Sequence, residues 1–264
     1  MNEAFEFVSS RCQGLARFGS VEASVRALVN SCVLMVEPSR FSEGSIEPKD
    51  AISVYVISSD IRFEAFRGVV SRVKLDAGFV RVECVTTSSY AKVDFPGAMS
   101  WQNATAQRVL LDLLAKSRLP ITNLNVSSIL SDIFLHSWHT EGRSVADEAL
   151  SLLHSVAPDV LVYGAPDGRT LIGTREEIAK TFSALVFPAD SQTGGSDTDI
   201  LRYSLRVAFP GVAYTDSAGN FLGTLECVVH EIAPGRAYTS LLLDEEYSSD
   251  LSAWVGSNVV KEVN

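Results

Sequence analysis

The sequence has few residues of the kinds that build a compact chemical site. Its 264 residues include four histidines and four scattered cysteines, none in a CxxC pair, at Cys12, Cys32, Cys84 and Cys227. This usage predicts reduced thiols that pack as small apolar side chains. The sequence has no 18-residue apolar stretch to span a membrane and no N-terminal apolar run of the signal-peptide type. We therefore expect a protein that is made in a cytoplasm.

Positive charge is also scarce. Lysine and arginine number 22 against 32 acidic residues, which gives a formal net charge of −10. This excess of acid argues against a surface that grips nucleic acid through its phosphates. The hydrophobic fraction of 46% with 20% charged residues is ordinary for a globular protein. The length allows two domains or one large domain with a proper core.

Histidine-based sites are incomplete. His136 and His139, with His154 further on, could supply metal ligands. Zinc needs three or four ligands in a fixed geometry, however, and this pair falls at the end of a predicted helix, so surface histidines are the simpler interpretation. His230 precedes Glu231, but the sequence has no serine or cysteine motif to complete a triad. We expect His230 to be a core or interface residue.

The acidic and glycine-rich motifs are also weak evidence for a catalytic or phosphate-binding site. Glu176-Glu177 and Asp244-Glu245-Glu246 could supply the paired carboxylates of a glycoside hydrolase, although such runs more often form solvated faces. Gly194-Gly195 lacks the lysine and helix of a phosphate-binding loop. The sequence therefore predicts no catalytic residue, no metal and no cofactor.

The first 95 residues read as strands. Residues 20–36 alternate apolar and polar side chains and predict one long strand. Ile52, Val54 and Val56 alternate in the next strand. Residues 63–73 and 79–85 then predict a hairpin that turns at 75–78. Four strands with short connections indicate a small antiparallel barrel or sandwich.

The pattern becomes helical after Pro96-Gly97. Thr105 can cap a helix with an apolar stripe, and residues 127–135 suggest a second helix. Ser144 can cap a third helix, which Pro158 stops. A hairpin follows and turns at residues 166–168. The change of period indicates a small α+β domain inserted after the barrel.

After Ile178 the chain returns to β character. Residues 191–199 predict a mobile loop, residues 201–209 a strand, and 210–211 and 216–219 turns. Residues 221–232 and 237–243 predict a hairpin across 233–236. The predicted fold is α+β and mainly β, with two small antiparallel β-barrel units and an α+β domain inserted between them. Its domains are 1–95, 96–180, 181–244 and a C-terminal tail, 245–264.

This order of units resembles the baseplate hub proteins of bacteriophage tails, the family that includes the late control protein D type. Residues 66–73 resemble the family's F.G.V..V strand, and residues 101–110 the helix that opens its middle domain. Residues 143–172 resemble its helix and D-G-R hairpin, and residues 210–239 the last strands of its second barrel. Together these stretches cover most of residues 20–244.

The resemblance implies a structural virion protein without catalytic activity. Three copies would form a ring that continues the tail tube and joins it to the tip, with a channel for DNA. The expected partners are copies of itself, a tail tube or distal tail protein, a central spike or fibre and the tape measure protein. DNA would pass only in transit, and no membrane anchor is expected. The protein would be assembled in the host cytoplasm and reside at the tail tip. The acid excess fits a lumen that repels phosphate.

Interface candidates lie in the C-terminal tail. Aromatic side chains are enriched in buried interface cores, and the tail combines acids with two aromatics, which gives the candidates Trp254, Tyr247, Glu245 and Glu246. Trp101 and Trp138 fit core packing about as well as an interface. Two other functions stay open. One is a carbohydrate- or receptor-binding β module at a tail tip, and the less favoured one is a peptidoglycan hydrolase.

Overall fold

The computed structural model describes residues 3–40, 46–119, 124–182, 185–186, 192–194, 200–215, 218 and 220–244. Within them the protein is mainly β, with a few short helices gathered in its middle third. None of the described helices is long and apolar enough to cross a membrane.

The elements follow in chain order. The strands are β1 (Ala4–Ser9), β2 (Gln13–Ala16), β3 (Phe18–Ser24), β4 (Ser31–Val36), β5 (Ala51–Ile57), β6 (Arg62–Asp76), β7 (Phe79–Val85), β8 (Ser100–Thr105), β9 (Leu124–Val126), β10 (Phe134–His139), β11 (Val160–Gly164), β12 (Thr170–Thr174), β13 (Leu185–Val186), β14 (Gln192–Gly194), β15 (Ile200–Tyr203), β16 (Ala213–Thr215), β17 (Phe221–Ala233) and β18 (Arg236–Asp244). The helices are α1 (Tyr90–Val93), α2 (Ala106–Leu114), α3 (Ile129–Asp132), α4 (Val145–Val156) and α5 (Arg175–Lys180).

One large, mostly antiparallel sheet joins the two β-rich ends of the chain. Its strand order is β14-β15-β18-β17-β3-β4-β7-β6-β5-β1-β2, with β13 and β16 attached at the side of β17. The seam between the ends is the pairing of β3 with β17, in register from Ser24 opposite Cys227 to Gly19 opposite Ile232. The described strands do not close into a barrel. The two β regions thus share a sheet.

The sheet folds over an apolar core in its N-terminal part. Phe5 and Phe7 of β1, Val54 of β5 and Phe66 of β6 are fully buried against Leu34 of β4 and its neighbours. A smaller core lies between β15, β17 and β18 and contains Tyr203, Leu225, Val228 and Leu241. Inward side chains alternate along these strands with partly exposed ones, as the two-residue period requires.

The predicted long strand over residues 20–36 is wrong. The segment is a hairpin, in which Phe18 lies opposite Met35 and Glu22 opposite Ser31. The chain reverses because the Ser24 N–H donates to Asn30 Oδ1 at 2.9 Å. The alternation of apolar and polar residues continues through the turn, because the turn residue Val25 is also buried, although in a different core.

The predicted hairpin after residue 62 is confirmed. β6 and β7 pair from Val69 opposite Val85 to Asp76 opposite Phe79. The turn residues Ala77 and Gly78 have φ angles of 48° and 82°, a conformation that glycine adopts at little cost.

The middle of the chain contains the two best-predicted helices. Thr105 accepts the N–H of Arg108 at the start of α2, and Ser144 accepts the N–H of Asp147 at the start of α4. Both caps are confirmed, since each hydroxyl satisfies an N–H that the first helical turn leaves free. The two helices bury a shared core that includes Val109, Leu110, Leu113, Leu152 and Leu153.

Two helical assignments near this core are wrong in part. Residues 101–105 form β8 before α2 begins, and the predicted helix over 127–135 is the single turn α3 followed by β10. β8 and β10 pair as a two-stranded ribbon, with Trp101 opposite Trp138. Asn103 has a φ of 49°, a conformation that asparagine tolerates better than most residues. Pairing between residues that lie 29 to 39 positions apart in the sequence overrides the local helical pattern.

The last third follows the prediction less closely. The strand expected over 201–209 ends at Tyr203, where the Arg206 N–H turns to Thr239 Oγ1 at 3.2 Å. Of the loop predicted at 191–199, Gln192–Gly194 is a strand and the remainder lies outside the described residues. The turn at 210–211 and the hairpin of β17 with β18 are confirmed, the latter reversing at Pro234-Gly235. The predicted turn at 216–219 lies mostly outside the described residues.

The strands β8–β12 and helices α2–α5, at residues 100–180, make up the middle unit. A buried polar network holds this middle unit against the sheet. Asn30, only 3% exposed, donates from Nδ2 to the carbonyl of Gly164 at the end of β11. Its backbone N–H donates to Thr86 Oγ1 at 3.1 Å, and its carbonyl accepts the N–H of Thr86. Ser88 donates to the carbonyl of Leu28 beside it. A Cβ on Gly164 would collide with these last two groups.

A second set of contacts supports the same joint. The Arg67 N–H of β6 donates to the carbonyl of Pro166 at 2.5 Å, in the turn between β11 and β12. Tyr163, Leu171 and Ile178 pack with Val25 of the β3–β4 turn in a small shared core. The hairpin predicted at residues 160–172 is therefore confirmed, and its turn contacts the sheet directly.

His230 lies where the two β regions meet. Its side chain is 2% exposed, with Nδ1 3.0 Å from Thr239 Oγ1 and Nε2 3.3 Å from the carbonyl of Ala208. The ring also packs edge-on against Phe63 of β6, with 5.2 Å between centroids. Burial lowers the pKa of His230 to about 4. The expectation of a core histidine is confirmed.

We expect Leu152→Asp to prevent folding, because Leu152 is fully buried in the core of α2 and α4. The loss of core packing and a buried, unpaired carboxylate together exceed about 4 kcal/mol. Ser155→Asp, on the exposed side of the same helix, is the control and should melt like the wild type. Soluble, cooperatively melting Leu152→Asp protein would show that the assigned helix face is wrong.

Replacement of Asn30 should loosen the joint between the units. Asn30→Ala removes hydrogen bonds to Gly164 and Ser24 and should cost about 2–3 kcal/mol of unfolding free energy. Asn30→Asp keeps the acceptor but faces the Gly164 carbonyl with a carboxylate, so it should be more destabilising at pH 7. Chemical denaturation measures both, and equal stabilities of the two variants would contradict the assigned contacts.

Acid should destabilise the fold through His230. The unfolded chain binds a proton below pH 6.5 and the folded chain only below about 4, so stability present above pH 6.5 is lost as the pH falls between these values. Between pH 7 and 4.5 this loss amounts to about 2.5 kcal/mol. His230→Gln should lose that much less over the same interval, measured by urea denaturation. Parallel pH curves for both proteins would rule out this contribution.

Candidate assembly surface

The four interface candidates of the C-terminal tail, Tyr247, Trp254, Glu245 and Glu246, lie outside the described residues. The two other tryptophans are half-buried and contact the core of α2 and α4. Trp101 also donates from Nε1 to Asp112 Oδ2 at 2.9 Å. For Trp101 and Trp138 the structure therefore favours core packing over an exposed interface.

The histidines do not converge. His136 and His139 are exposed on β10 rather than at the end of a helix, and His154 is exposed on α4. In the part of the chain that the structure describes, no three His, Cys, Asp or Glu side chains are placed to hold a metal ion. All four cysteines are free thiols, and Cys32 and Cys84 are buried opposite each other on β4 and β7. Burial raises the pKa of Cys32 well above its usual value, as does its contact with Cys84.

The candidate carboxylates serve the local structure. Glu177 Oε2 accepts the N–H of Thr174 in a capping box, and Ser127 donates to its Oε1 at 2.8 Å. Glu176 pairs with Lys180 one turn later. Helix α5 is absent from the predictions made from the sequence, although the motif Thr-x-x-Glu is a signal for a helix start. Of the second cluster only Asp244 is described, at the end of β18, and Gly194 ends β14 while Gly195 lies outside the described residues.

Sequence reasoning missed the buried carboxylate of Glu148. This side chain of α4 is fully buried, and its Oε1 accepts the N–H groups of Glu141 at 2.7 Å and Arg143 at 3.0 Å. The Arg143 guanidinium lies 3.8 Å from Oε2. Glu148 therefore fastens the loop that precedes α4. A charged residue on the apolar side of the predicted helix was the only signal for it.

Among the described strands, the most distinctive surface is a run of eight with an open edge at each end, which on β6 covers residues 71–76. The run is β14-β15-β18-β17-β3-β4-β7-β6. The pairing of β6 with its other neighbour, β5, ends where Val69 lies opposite Ala51. The next residue, Val70, donates its N–H to the carbonyl of Asp50 and accepts the N–H of Lys49. From Ser71 to Asp76 it pairs with β7 alone among the described strands.

The two open edges differ from each other. The β6 edge carries the exposed cation Arg72 and also Leu75, which precedes its last residue and is 74% exposed. At the opposite end, β14 pairs with β15 alone among the described strands. An unpaired edge offers a row of N–H and C=O groups to another strand, and charged side chains on it limit indiscriminate pairing. The run therefore has two unlike edges at which backbone pairing can continue.

The outward face of this run is of mixed charge. Arg81 pairs with Glu83 at 2.8 Å, and Arg236 with Glu231 at 3.0 Å. Of the 32 acidic residues nine lie outside the described residues, together with one of the 22 cations, so the described part carries a net charge of −2. The acid excess of the sequence is therefore concentrated outside the described residues.

Known proteins resemble the chain in structure rather than in sequence. No protein-family model matches it, and neither does any curated protein. A 43 kDa tail protein of prophage MuSo2 from Shewanella oneidensis matches 92% of the chain, and the chain covers 96% of that protein, with a TM-score of 0.64 and 10% identity. A tail protein of Neisseria meningitidis matches 93%, and the chain covers 97% of it, with a TM-score of 0.64 and 9% identity.

A third structure belongs to a secretion system. It is a type VI secretion component of Escherichia coli, described as structurally similar to bacteriophage tail proteins. It matches 92% of the chain, and 77% of its own length is covered, with a TM-score of 0.59 and 10% identity. The resemblance drawn from the sequence is thus confirmed at the level of fold. The chain has the fold of phage tail proteins, extended over nearly its whole length.

Proposed function

We propose that this chain is a structural hub of a phage-type tail tip, in which three copies form a ring that continues the tail tube. The observation that carries the proposal is the eight-strand run with its two unlike open edges. When the β6 edge of one copy meets the β14 edge of the next, the contact is head-to-tail. Head-to-tail contacts generate a closed ring when the rotation between copies fits.

The size of such a ring suits a channel. Three copies contribute 24 strands, which at about 4.8 Å spacing and a barrel-like tilt close into a ring about 50 Å across at the backbone. That width leaves room for a DNA duplex once side chains are added. In this proposal the outward face of the run lines the channel. Its Arg81 and Arg236 already pair with acids, so these two cations are less available to bind phosphate.

The two β regions would act as related barrel units of the ring. In this proposal residues 1–95 and 181–244 are the two barrel units, residues 96–180 are the α+β domain between them, and residues 245–264 are a tail. The shared sheet supports the idea, because a ring of three copies with two units each has approximate six-fold character. A six-fold tube could then continue onto a three-fold tip.

The proposed role implies particular binding partners and a location in the virion. Above the ring would lie the tail tube or a distal tail protein, and below it a central spike or fibre, with the tape measure protein and DNA passing through. The protein would be assembled in the host cytoplasm and remain in the virion at the tail tip. The role is structural and needs no catalysis, cofactor or membrane anchor.

Electron microscopy of the purified protein tests the ring. We expect three-fold particles with a central hole. Compact single copies at every protein concentration, together with clearing of peptidoglycan by the same sample, would contradict the proposal and favour a hydrolase.

Leu75→Lys tests the β6 edge. Leu75 is 74% exposed in the single copy, so the melting temperature should change little. If the contact between copies buries it, loss of that burial costs about 1.5–3 kcal/mol per contact. Ring formation should therefore need at least about tenfold more protein, measured by analytical ultracentrifugation. Leu111→Lys, exposed on α2 and off the sheet, is the control, and equal assembly of both variants would exclude this edge.

A further inference from the structure

An apolar groove crosses the joint between the sheet and the middle unit. Its volume is about 350 Å³, and it lies between the β3–β4 turn on one side and the end of α4 with β11 on the other. Its apolar lining includes Val25, Leu28, Val29, Leu150, Val160 and Val162. Lys92 and His154 line it too and are exposed, whereas Arg26 already pairs with Glu226 at 3.1 Å.

One wall of the groove is a strand with an open edge. β11 pairs with β12 alone among the described strands. The Gly164 carbonyl points away from β12, because it accepts the Asn30 side chain. Backbone groups alternate along an antiparallel strand, so Val162 directs its N–H and C=O to the same side. That side can receive an extended segment by strand addition.

The described chain ends close to this groove. Asp244, the last residue of β18, lies opposite Thr224 of β17. The carbonyl of Glu226, two residues further along β17, accepts the N–H of Val25 in the groove wall at 2.9 Å. The end of β18 is therefore about two strand spacings, or about 10 Å, from the groove. Twenty residues follow Asp244 in the sequence, and an extended chain of ten residues reaches about 33 Å.

The chemistry of those twenty residues matches the groove. They include the apolar side chains Tyr247, Leu251, Trp254 and Val255. They also carry four acidic residues against one lysine, and the exposed cations of the groove are Lys92 and Arg26, of which Arg26 already pairs with Glu226. A tethered segment competes at an effective concentration in the millimolar range, which favours it over a separate partner.

We propose that residues 245–264 dock into this groove of their own chain, with Trp254 and its apolar neighbours on the lining and acids toward Lys92. The segment adds to the open edge of β11 and bridges the sheet and the middle unit. This contact is independent of ring formation, so a chain that forms rings without it would overturn only the docking.

Photo-crosslinking in the full chain tests the docking. The photoreactive p-benzoylphenylalanine takes the place of Trp254, and cross-linked peptides are mapped by mass spectrometry in a mixture of isotope-labelled and unlabelled copies. We expect links to residues 25–29 or 150–162 within one copy. Links to other regions, links between copies or the absence of links would each overturn the proposal.

Two further variants separate docking from chance contact. Lys92→Glu should lower the cross-linking yield at least threefold, whereas the control Lys116→Glu, an exposed lysine at the end of α2, should leave it unchanged. In the chain without the photoreactive group, Trp254→Ser should speed hydrogen exchange at the Val162 amide at least tenfold. Equal yields in the two lysine variants, or unchanged exchange at Val162, would contradict the docking.

Discussion

The hydrogen bond from Asn30 to the Gly164 carbonyl is the contact on which the arrangement of the molecule depends. The same asparagine reverses the chain between β3 and β4 through Ser24, so one buried side chain both ends a strand and anchors a neighbouring unit. A buried amide is costly unless its polar atoms are bonded, and here the partners come from segments far apart in sequence. The sheet and the middle unit therefore take one mutual position.

The seam between β3 and β17 adds a constraint of register. Six residue pairs fix it, and a slip of one residue would turn the inward Val21 and His230 to the outside. The alignment of the two β regions is thus set by burial as well as by backbone pairing. This gives the proposed ring a building unit of fixed curvature rather than two independent modules.

The features that the sequence predicts correctly are those that neighbouring residues determine. The caps at Thr105 and Ser144 and the turn at Gly78 depend on nearby atoms, so the spacing of residues in the sequence predicts them. The reversal after Ser24 was missed because the residue that fixes it, Asn30, is held by Gly164 at a distance of 134 residues. β8 and β10 were missed for a similar reason, since each is a strand only in contact with the other. For the candidate site, composition points to the tail residues, whereas the open edges of β6 and β14 follow from strand order, which no single segment encodes.

The β3–β17 seam also has a consequence for the order of folding. Val21 and His230, which lie opposite each other, are 209 residues apart in the chain. Contacts of such separation form late, because the entropy of closing the intervening loop must be offset first. During synthesis β3 leaves the ribosome long before β17 is made. The edge of β3 that pairs with β17 therefore stays unpaired while the middle unit folds. The surface from which the tube wall would be built becomes complete only after β17 and β18 have been synthesised, and chains that lack them expose an aggregation-prone strand.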